Sequence, residues 1–390
     1  MEKESGPNEV IFMVYLETNN IISSLGFTTT ENFNALKAGE TGISLIDNRK
    51  YYPEPFQASM LDTERLEAHF SDAENAKYTR LEKMIILSIK SALKQANVDI
   101  RSEKTGVVIS TTKGNIDLLM DNNAQQFHPD RVLLWKLGHV IQDYFGNPNK
   151  AIVLSNACVS GVLALNNAAM FIKNGKYENV VVTGADIVSR FVLSGFMSFM
   201  SLSPEPCKPF DKNRDGLSLG EAASTIVVKK QKSSKSCIAH IGGASANDAN
   251  HISGPSKTGE GSFIAIKKAM NEASIGADSI QHISAHGTAT PYNDEMESIA
   301  IERGGLNEVP VSSFKGSFGH TLGAAGLVET SILMEEMRKN ILVKTTGFSE
   351  LGVSRKINVV KETHPHEINT ALKMASGFGG SNAALILQKV

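Results

Sequence analysis

Cys158 stands in Ser155-Asn-Ala-Cys158-Val-Ser-Gly161, where an apolar run ends and small residues begin. The pattern predicts a strand that stops and a helix that opens at the cysteine. A thiol there meets the positive end of the helix dipole and backbone N–H groups without partners, and both favour the thiolate. The expected chemistry is nucleophilic attack by a sulfur of lowered pKa. Most unpaired cysteines merely pack, and Cys207 and Cys237, which lack this setting, are read that way.

Two histidines repeat one arrangement. His286 lies in Ser284-Ala-His286-Gly-Thr288-Ala-Thr290-Pro, and His320 closes Lys315-Gly-Ser-Phe-Gly-His320, which runs on into Thr-Leu-Gly-Ala-Ala-Gly326. Each follows a short apolar run and sits beside glycine, which lets backbone approach a ligand closely. One loop histidine is ordinarily a satisfied structural residue; two in matching settings, with Lys315 between them, point to a site. Ala375-Ser-Gly377-Phe378-Gly-Gly-Ser381-Asn382 sets one aromatic in a glycine-rich loop, or else is a tight turn between strands.

Other patterns fail on inspection. Asp211-Lys-Asn213-Arg-Asp215-Gly216 opens like a calcium loop, but its twelfth position is Ala222, not a bidentate acid. His282 and His286 have metal-like spacing, yet they fall in a strand-like run that no CxxC or nearby carboxylate completes. Neither a P-loop nor a G-x-G-x-x-G fingerprint occurs. No metal site is expected.

Strand-like runs at Gly106-VVISTT, Ala151-IVLS, Asn179-VVVTGAD, Ile280-QHISAH and Val309-PVSSF must position these residues. They alternate with helical patterns over 64–95, 161–174, 262–273 and 323–339, which predicts an α/β fold with buried sheets. Gly220-EAASTIVVKK and Gly379-GSNAALILQK share spacing and character, so the chain divides into two similar halves, 1–240 and 241–390. Residues 151–172 carry no formal charge, but five Ser and Asn side chains interrupt them; a strand running into a buried helix fits better than a membrane span. Thirty-nine basic residues against 41 acidic give a net charge of −2, which offers no global attraction to nucleic acid. Three cysteines cannot build a disulfide framework, and the start lacks a basic-then-apolar leader, so a cytoplasmic location is expected.

Five blocks in order, NACVSG, CKPFDKNRDGLSLGEAA, SAHGTATPYNDEMES, SSFKGSFGHTLGAAGLVE and GFGGSN, resemble the β-ketoacyl-[acyl-carrier-protein] synthases, in the Cys-His-His branch of the thiolase superfamily. The resemblance runs from about residue 100 to the end. It implies a thiolase-like fold of two stacked α/β halves, in layers of helices and sheets, and decarboxylative Claisen condensation of an acyl thioester with malonyl-carrier protein. On this resemblance Cys158 matches the acylated nucleophile, and His286 and His320 the pair facing the extender thioester. Lys315 matches the positioning lysine and Glu329 its acidic partner. Phe378 matches the gating aromatic, whose backbone N–H joins that of Cys158 in an oxyanion hole. Thr288 and Thr290 match residues that hydrogen-bond the phosphopantetheine arm, and Asp248 and His251 resemble a second mobile loop. The resemblance implies no cofactor beyond the carrier's phosphopantetheine, an acyl carrier protein as partner, and a homodimer or a heterodimer with a related subunit.

Several positions depart from the family pattern. The first strand, Ile11-FMVYLETNNIISSLG, lacks a Thr-Gly turn, Asn156 and Val159 flank the cysteine, and Gly316 replaces a serine. These departures suit a specialised pathway, of polyketide or aryl polyene type, over general fatty-acid elongation. Phe191-VLSGFMSFMSLS is a candidate tunnel wall. Competing readings are a non-catalytic partner subunit like a chain-length factor, a thiolase, which would need a second cysteine near the C-terminus, and a cysteine hydrolase, which leaves the second histidine and the lysine unexplained.

Overall fold

The computed structural model describes residues 13–120, 126–232, 237–248 and 254–390. Eleven strands form its main sheet: β1 (Val14–Ser23), β2 (Thr105–Ser110), β3 (Ile152–Leu154), β4 (Asn179–Asp186), β5 (Ala222–Lys229), β6 (Ile238–Asn247), β7 (His282–Ser284), β8 (Pro310–Ser312), β9 (Asn358–Val359), β10 (Thr370–Gly377) and β11 (Ser381–Lys389). Their lateral order is β9-β8-β7-β10-β11-β6-β1-β5-β4-β2-β3.

That order contains a repeat. From β1 outward, β5 and β4 join antiparallel, then β2 and β3 join parallel. From β6 outward, β11 and β10 join antiparallel, then β7 and β8 join parallel. The two series meet where Val14–Leu16 pairs with Ile238–His240. The sequence echo at Gly220 and Gly379 leads into β5 and β11, the second strand of each series.

Alternation along the strands builds the layers. Val107, Ile109 and Val181 pack on Ile85 and Ile89 of α1 (Arg80–Leu93) and on Leu137 and Ile141 of α2 (Leu134–Phe145). Their neighbours Val108, Val180 and Val182 point the other way, onto Val162, Leu165 and Ala169 of α3 (Ser160–Lys173). α4 (Arg190–Ser198) packs separately, with Val192, Leu193 and Phe196 in a smaller cluster. In the second series Leu372, Met374 and Ile386 meet α5 (Glu260–Glu272) and α6 (Pro291–Arg303). Ala371, Ala375, Leu385 and Leu387 turn inward to the cluster that holds α3 and Leu333 and Met337 of α7 (Ala325–Lys339). The result is helix, sheet, helix, sheet, helix, with α3 and α7 in the shared middle layer. They touch at Gly161 and Gly326; a Cβ on Gly326 would stand 2.6 Å from Val162 N.

The helical pattern over 64–95 is three helices, 63–67, 72–77 and 80–93, rather than one. Ser71 with Glu74, and Thr79 with Glu82, each close a capping box that starts a new helix. Residues 151–172 form β3 and α3 as expected. Among the described residues no helix is long and apolar enough to cross a membrane.

Candidate active site

The turn from β3 into α3 carries Cys158. Ala157 before it takes a left-handed φ of 44°, which makes the turn sharp. Ser160 ties the turn together: its hydroxyl donates to Ala157 O at 2.6 Å and accepts from Asn156 N at 2.8 Å. α3 has no side-chain N-cap, so its first N–H groups are left to a ligand or to water.

The parallel strands β7 and β8 deliver the histidines at their C-terminal ends. His320 Nε2 lies 3.0 Å from Cys158 Sγ, and the rings of His286 and His320 stand 5.1 Å apart, nearly perpendicular at 82°. Sγ and one nitrogen of each imidazole lie within 4.8 Å of one another. The tautomers follow from the partners. Leu322 N donates to His320 Nδ1 at 3.3 Å, and Lys315 Nζ, 3.1 Å from His286 Nδ1, can only donate. In both neutral rings the proton therefore sits on Nε2. Burial, then the Lys315 cation, hold both imidazoles well below the usual histidine pKa.

Lys315 is buried and bonds Glu329 Oε1 at 2.6 Å as well as His286 O. The loop carrying His286 is clamped from α6. Glu297 accepts from His286 N at 2.7 Å and Gly287 N at 2.6 Å, and Asp294 accepts from Thr288 N at 2.9 Å and Phe210 N at 2.7 Å. Burial, then the neighbouring Asp294 charge, push Glu297 up to about 7 despite its two backbone N–H donors. Thr288 and Thr290 have hydroxyls 2.8 Å apart, and both line the same cavity.

One expectation is corrected. Burial pushes the Cys158 thiol up to about 11, with the Lys315 charge opposing it only in part. Removing water from the sulfur outweighs the charges that favour thiolate. The resting residue is a thiol, and a donor at 3.0 Å stands ready for charge on sulfur as it develops.

Cys158, His286 and His320 open into a cavity of about 460 Å³. Phe378 stands at it, 38% exposed, stacked on Phe196 at 5.7 Å and edge-on to Phe199 at 5.4 Å. Phe196, Phe199 and Met200 line the wall, so this part of the Phe191–Met200 run reaches the cavity. Gly377 lets the Phe378 loop lie against the nucleophile; a Cβ there would come 3.1 Å from Cys158 N. Asp248 also borders the cavity, but its carboxylate accepts from Gly261 N at 2.7 Å and Asn382 Nδ2 at 3.0 Å, so it holds the loop's far end. His251 lies outside the described residues.

The departures also find partners. Asn156 Oδ1 accepts from Ser381 Oγ at 3.0 Å, which joins the nucleophile turn to the Phe378 loop. At Gly316 a Cβ would stand 2.0 Å from Thr346 O, so the serine common in the family has no room. The calcium-like loop is a clamp, in which Asp211 accepts from Asn213 N, Ser349 N and Glu350 N. His282 is fully buried between Pro310 O and Glu336. Sequence reasoning missed Asp294 and Glu297, although the spacing Pro291-x-x-Asp294-x-x-Glu297 sets both on the first turns of a helix. It also missed Lys373, a charge inside the apolar strand Thr370-Ala-Leu-Lys373-Met-Ala.

Known proteins resemble this chain over most of its length. The family models for the β-ketoacyl synthase N-terminal and C-terminal domains match residues 20–234 and 233–349. A putative mitochondrial 3-oxoacyl-[acyl-carrier-protein] synthase of Schizosaccharomyces pombe is 31% identical, over 81% of this chain and 82% of its own. A 3-oxoacyl-[acyl-carrier-protein] synthase 2 of Rhizobium meliloti is 32% identical, over 73% and 74%. Among solved structures, a chain of the ketosynthase ApeO in complex with its chain length factor ApeC, from Xenorhabdus doucetiae, superposes with TM-score 0.87. It is 25% identical, with 99% of this chain and 100% of that chain covered. The layered fold is thiolase-like, and the chain belongs to the β-ketoacyl synthase family, an acyltransferase of that type.

Proposed function

We propose that this chain is a 3-oxoacyl-[acyl-carrier-protein] synthase that condenses an acyl group held on Cys158 with malonyl-carrier protein. The observation that carries the reading is the convergence on one cavity of the Cys158 sulfur, 3.0 Å from His320 Nε2, with two imidazoles whose Nε2 both bear protons. In the first half-reaction Cys158 sulfur attacks the acyl thioester carbonyl and the carrier thiol leaves with the proton. The Cys158 and Phe378 N–H groups would hold the oxyanion; loss of one such donor typically costs about 3 kcal/mol.

In the second half-reaction the malonyl thioester carbonyl accepts from His286 and His320 Nε2–H. Its C–CO₂ bond breaks, CO₂ leaves, and the electron pair forms an enolate that the two donors stabilise. The enolate carbon attacks the acyl carbonyl, Cys158 sulfur leaves as thiolate and takes one proton from solvent, and a 3-ketoacyl chain two carbons longer results. Neutral imidazoles suit this task because they donate without surrendering a proton, and Lys315 favours that state. Thr288 and Thr290 would hold the pantetheine arm, Asp248 would set the mouth, and the Phe196–Phe199–Phe378 aromatics would gate the acyl chain.

On this reading the enzyme works in the cytoplasm, in fatty-acid or specialised polyketide or aryl polyene-type elongation. It needs no bound cofactor. Two halves, 1–240 and 241–390, contribute the nucleophile and the histidines. A second copy or a related subunit would continue the sheet at β3, which among the described residues is paired only with β2. A non-catalytic partner subunit has no need of this engaged cysteine. Intact mass after incubation with acyl-carrier thioesters tests the choice: an acyl adduct on the native protein that is absent from Cys158→Ala is expected. No adduct from any primer would leave the partner-subunit reading.

A further inference from the structure

Lys373 occupies the middle of β10 with no exposed surface. Its Nζ donates to Ser284 O at 3.2 Å and Ala285 O at 3.1 Å, the two carbonyls before His286, and lies 2.6 Å from Glu329 Oε2. The last contact is an ion pair without hydrogen-bond geometry. Glu329 is thus held between two ammonium groups, Lys315 on Oε1 and Lys373 on Oε2. A lysine and a glutamate alone would cancel. Two lysines around one carboxylate leave the cluster one positive charge in excess, directly behind the histidines.

Burying an ammonium is costly and pushes Lys373 below the usual lysine range. The oxygen cage of Ser284 O, Ala285 O and Glu329 offsets that cost. We propose that Lys373 is a positioning residue, a built-in cation that frees the Lys315 charge for His286 and fixes the backbone from which His286 projects. Charged and titratable groups around His286 are Lys315, Glu329 and Lys373 behind the ring, His320 and the Cys158 thiol on the cavity side, Glu297 at its own N–H and Asp294 on the Thr288 N–H of the same loop. Removing Lys373 leaves Lys315 neutralised by Glu329, so His286 takes up a proton at higher pH and loses its role as a neutral donor.

This inference rests on the proposed condensation, and its test separates the two. CO₂ release from a malonyl thioester and acyl loading of Cys158 are measured in the native protein, K373S and K373M. Serine opens an oxygen-lined hole of ammonium size; methionine keeps the volume without the charge. Both variants should load acyl groups within about threefold of the native rate, yet decarboxylate about 100-fold more slowly. The acid limb of the pH profile should move to higher pH. Ammonium chloride should restore K373S but not K373M, whereas tetramethylammonium chloride at equal ionic strength, too large for the cage, should restore neither. Wild-type decarboxylation and acid limb in K373M would overturn the proposal, as would loss in a folded, acyl-loading K373S that neither ammonium nor potassium repairs. Should K373S fail to fold, K373M decides by rate and acid limb. A native protein that neither loads nor decarboxylates defeats the condensation reading instead. ¹⁵N NMR titration of His286 then decides for Lys373, whose removal must raise the imidazole pKa.

Discussion

At the scale of single residues, the site rests on hydrogen bonds that leave each proton one place to be. Backbone and lysine donors occupy both Nδ1 atoms, so both Nε2–H groups face the cavity. His286→Ala is expected to slow malonyl decarboxylation by about 100–1000-fold. Acyl loading should stay within a few-fold, because the contact to Cys158 Sγ belongs to His320. Separate assays of loading and CO₂ release check this split. The Cys158 thiol, pushed up to about 11, should alkylate slowly near neutrality. Its iodoacetamide rate should climb about tenfold per pH unit from about pH 7 to about pH 10, since the thiolate reacts. A plateau below about pH 9 would contradict the burial argument. The sequence made Cys158 and the histidines legible because small residues and glycines mark where backbone turns sharply. It gave the wrong sign for the thiol pKa, since desolvation depends on what covers the sulfur, and distant segments supply that cover.

Elements position these residues through contacts that sequence periodicity only partly reveals. β7 and β8 were legible as apolar runs, and α3 and α7 as small-residue helices. The split of 64–95 turned on Ser71 and Thr79, whose capping boxes outweigh a continuous helical pattern. Glu297 was hidden because, beside the Asn293 amide, its partners are the backbone N–H groups of His286 and Gly287, which no side-chain pattern announces. Glu297→Gln would turn an amide NH₂ toward one of those donors, at a cost of about 1–3 kcal/mol in stability. Restoration of the serine at 316 would drive Cβ into Thr346 O and should cost about 1–3 kcal/mol or more. Urea unfolding of Gly316→Ser and Glu297→Gln beside the native chain measures both. Unchanged midpoints would contradict the clamp and the close approach.

Across the whole molecule, two strand series of like pattern share one middle layer of helices, and the site lies where their ends meet. The nucleophile comes from the first series, and the histidines, lysines and gating aromatic come from the second. The repeat was faintly visible in the spacing of 220–230 and 379–389, which lead into equivalent strands. The layer order was not, because it depends on which alternate residues face inward. With the outer edge of β3 unpaired among the described residues, light scattering should give twice the chain mass of 42.1 kDa for a homodimer. The 42.1 kDa of a lone chain would contradict that assembly. The central claim is most directly tested by a chase. Protein loaded with an acyl group is exposed to malonyl-carrier protein, and enzyme and carrier are weighed over time. Condensation requires the Cys158 adduct to vanish as CO₂ appears in equal amount and the carrier gains a 3-ketoacyl chain two carbons longer than the primer. An adduct that persists through the chase, with malonyl intact, would contradict it.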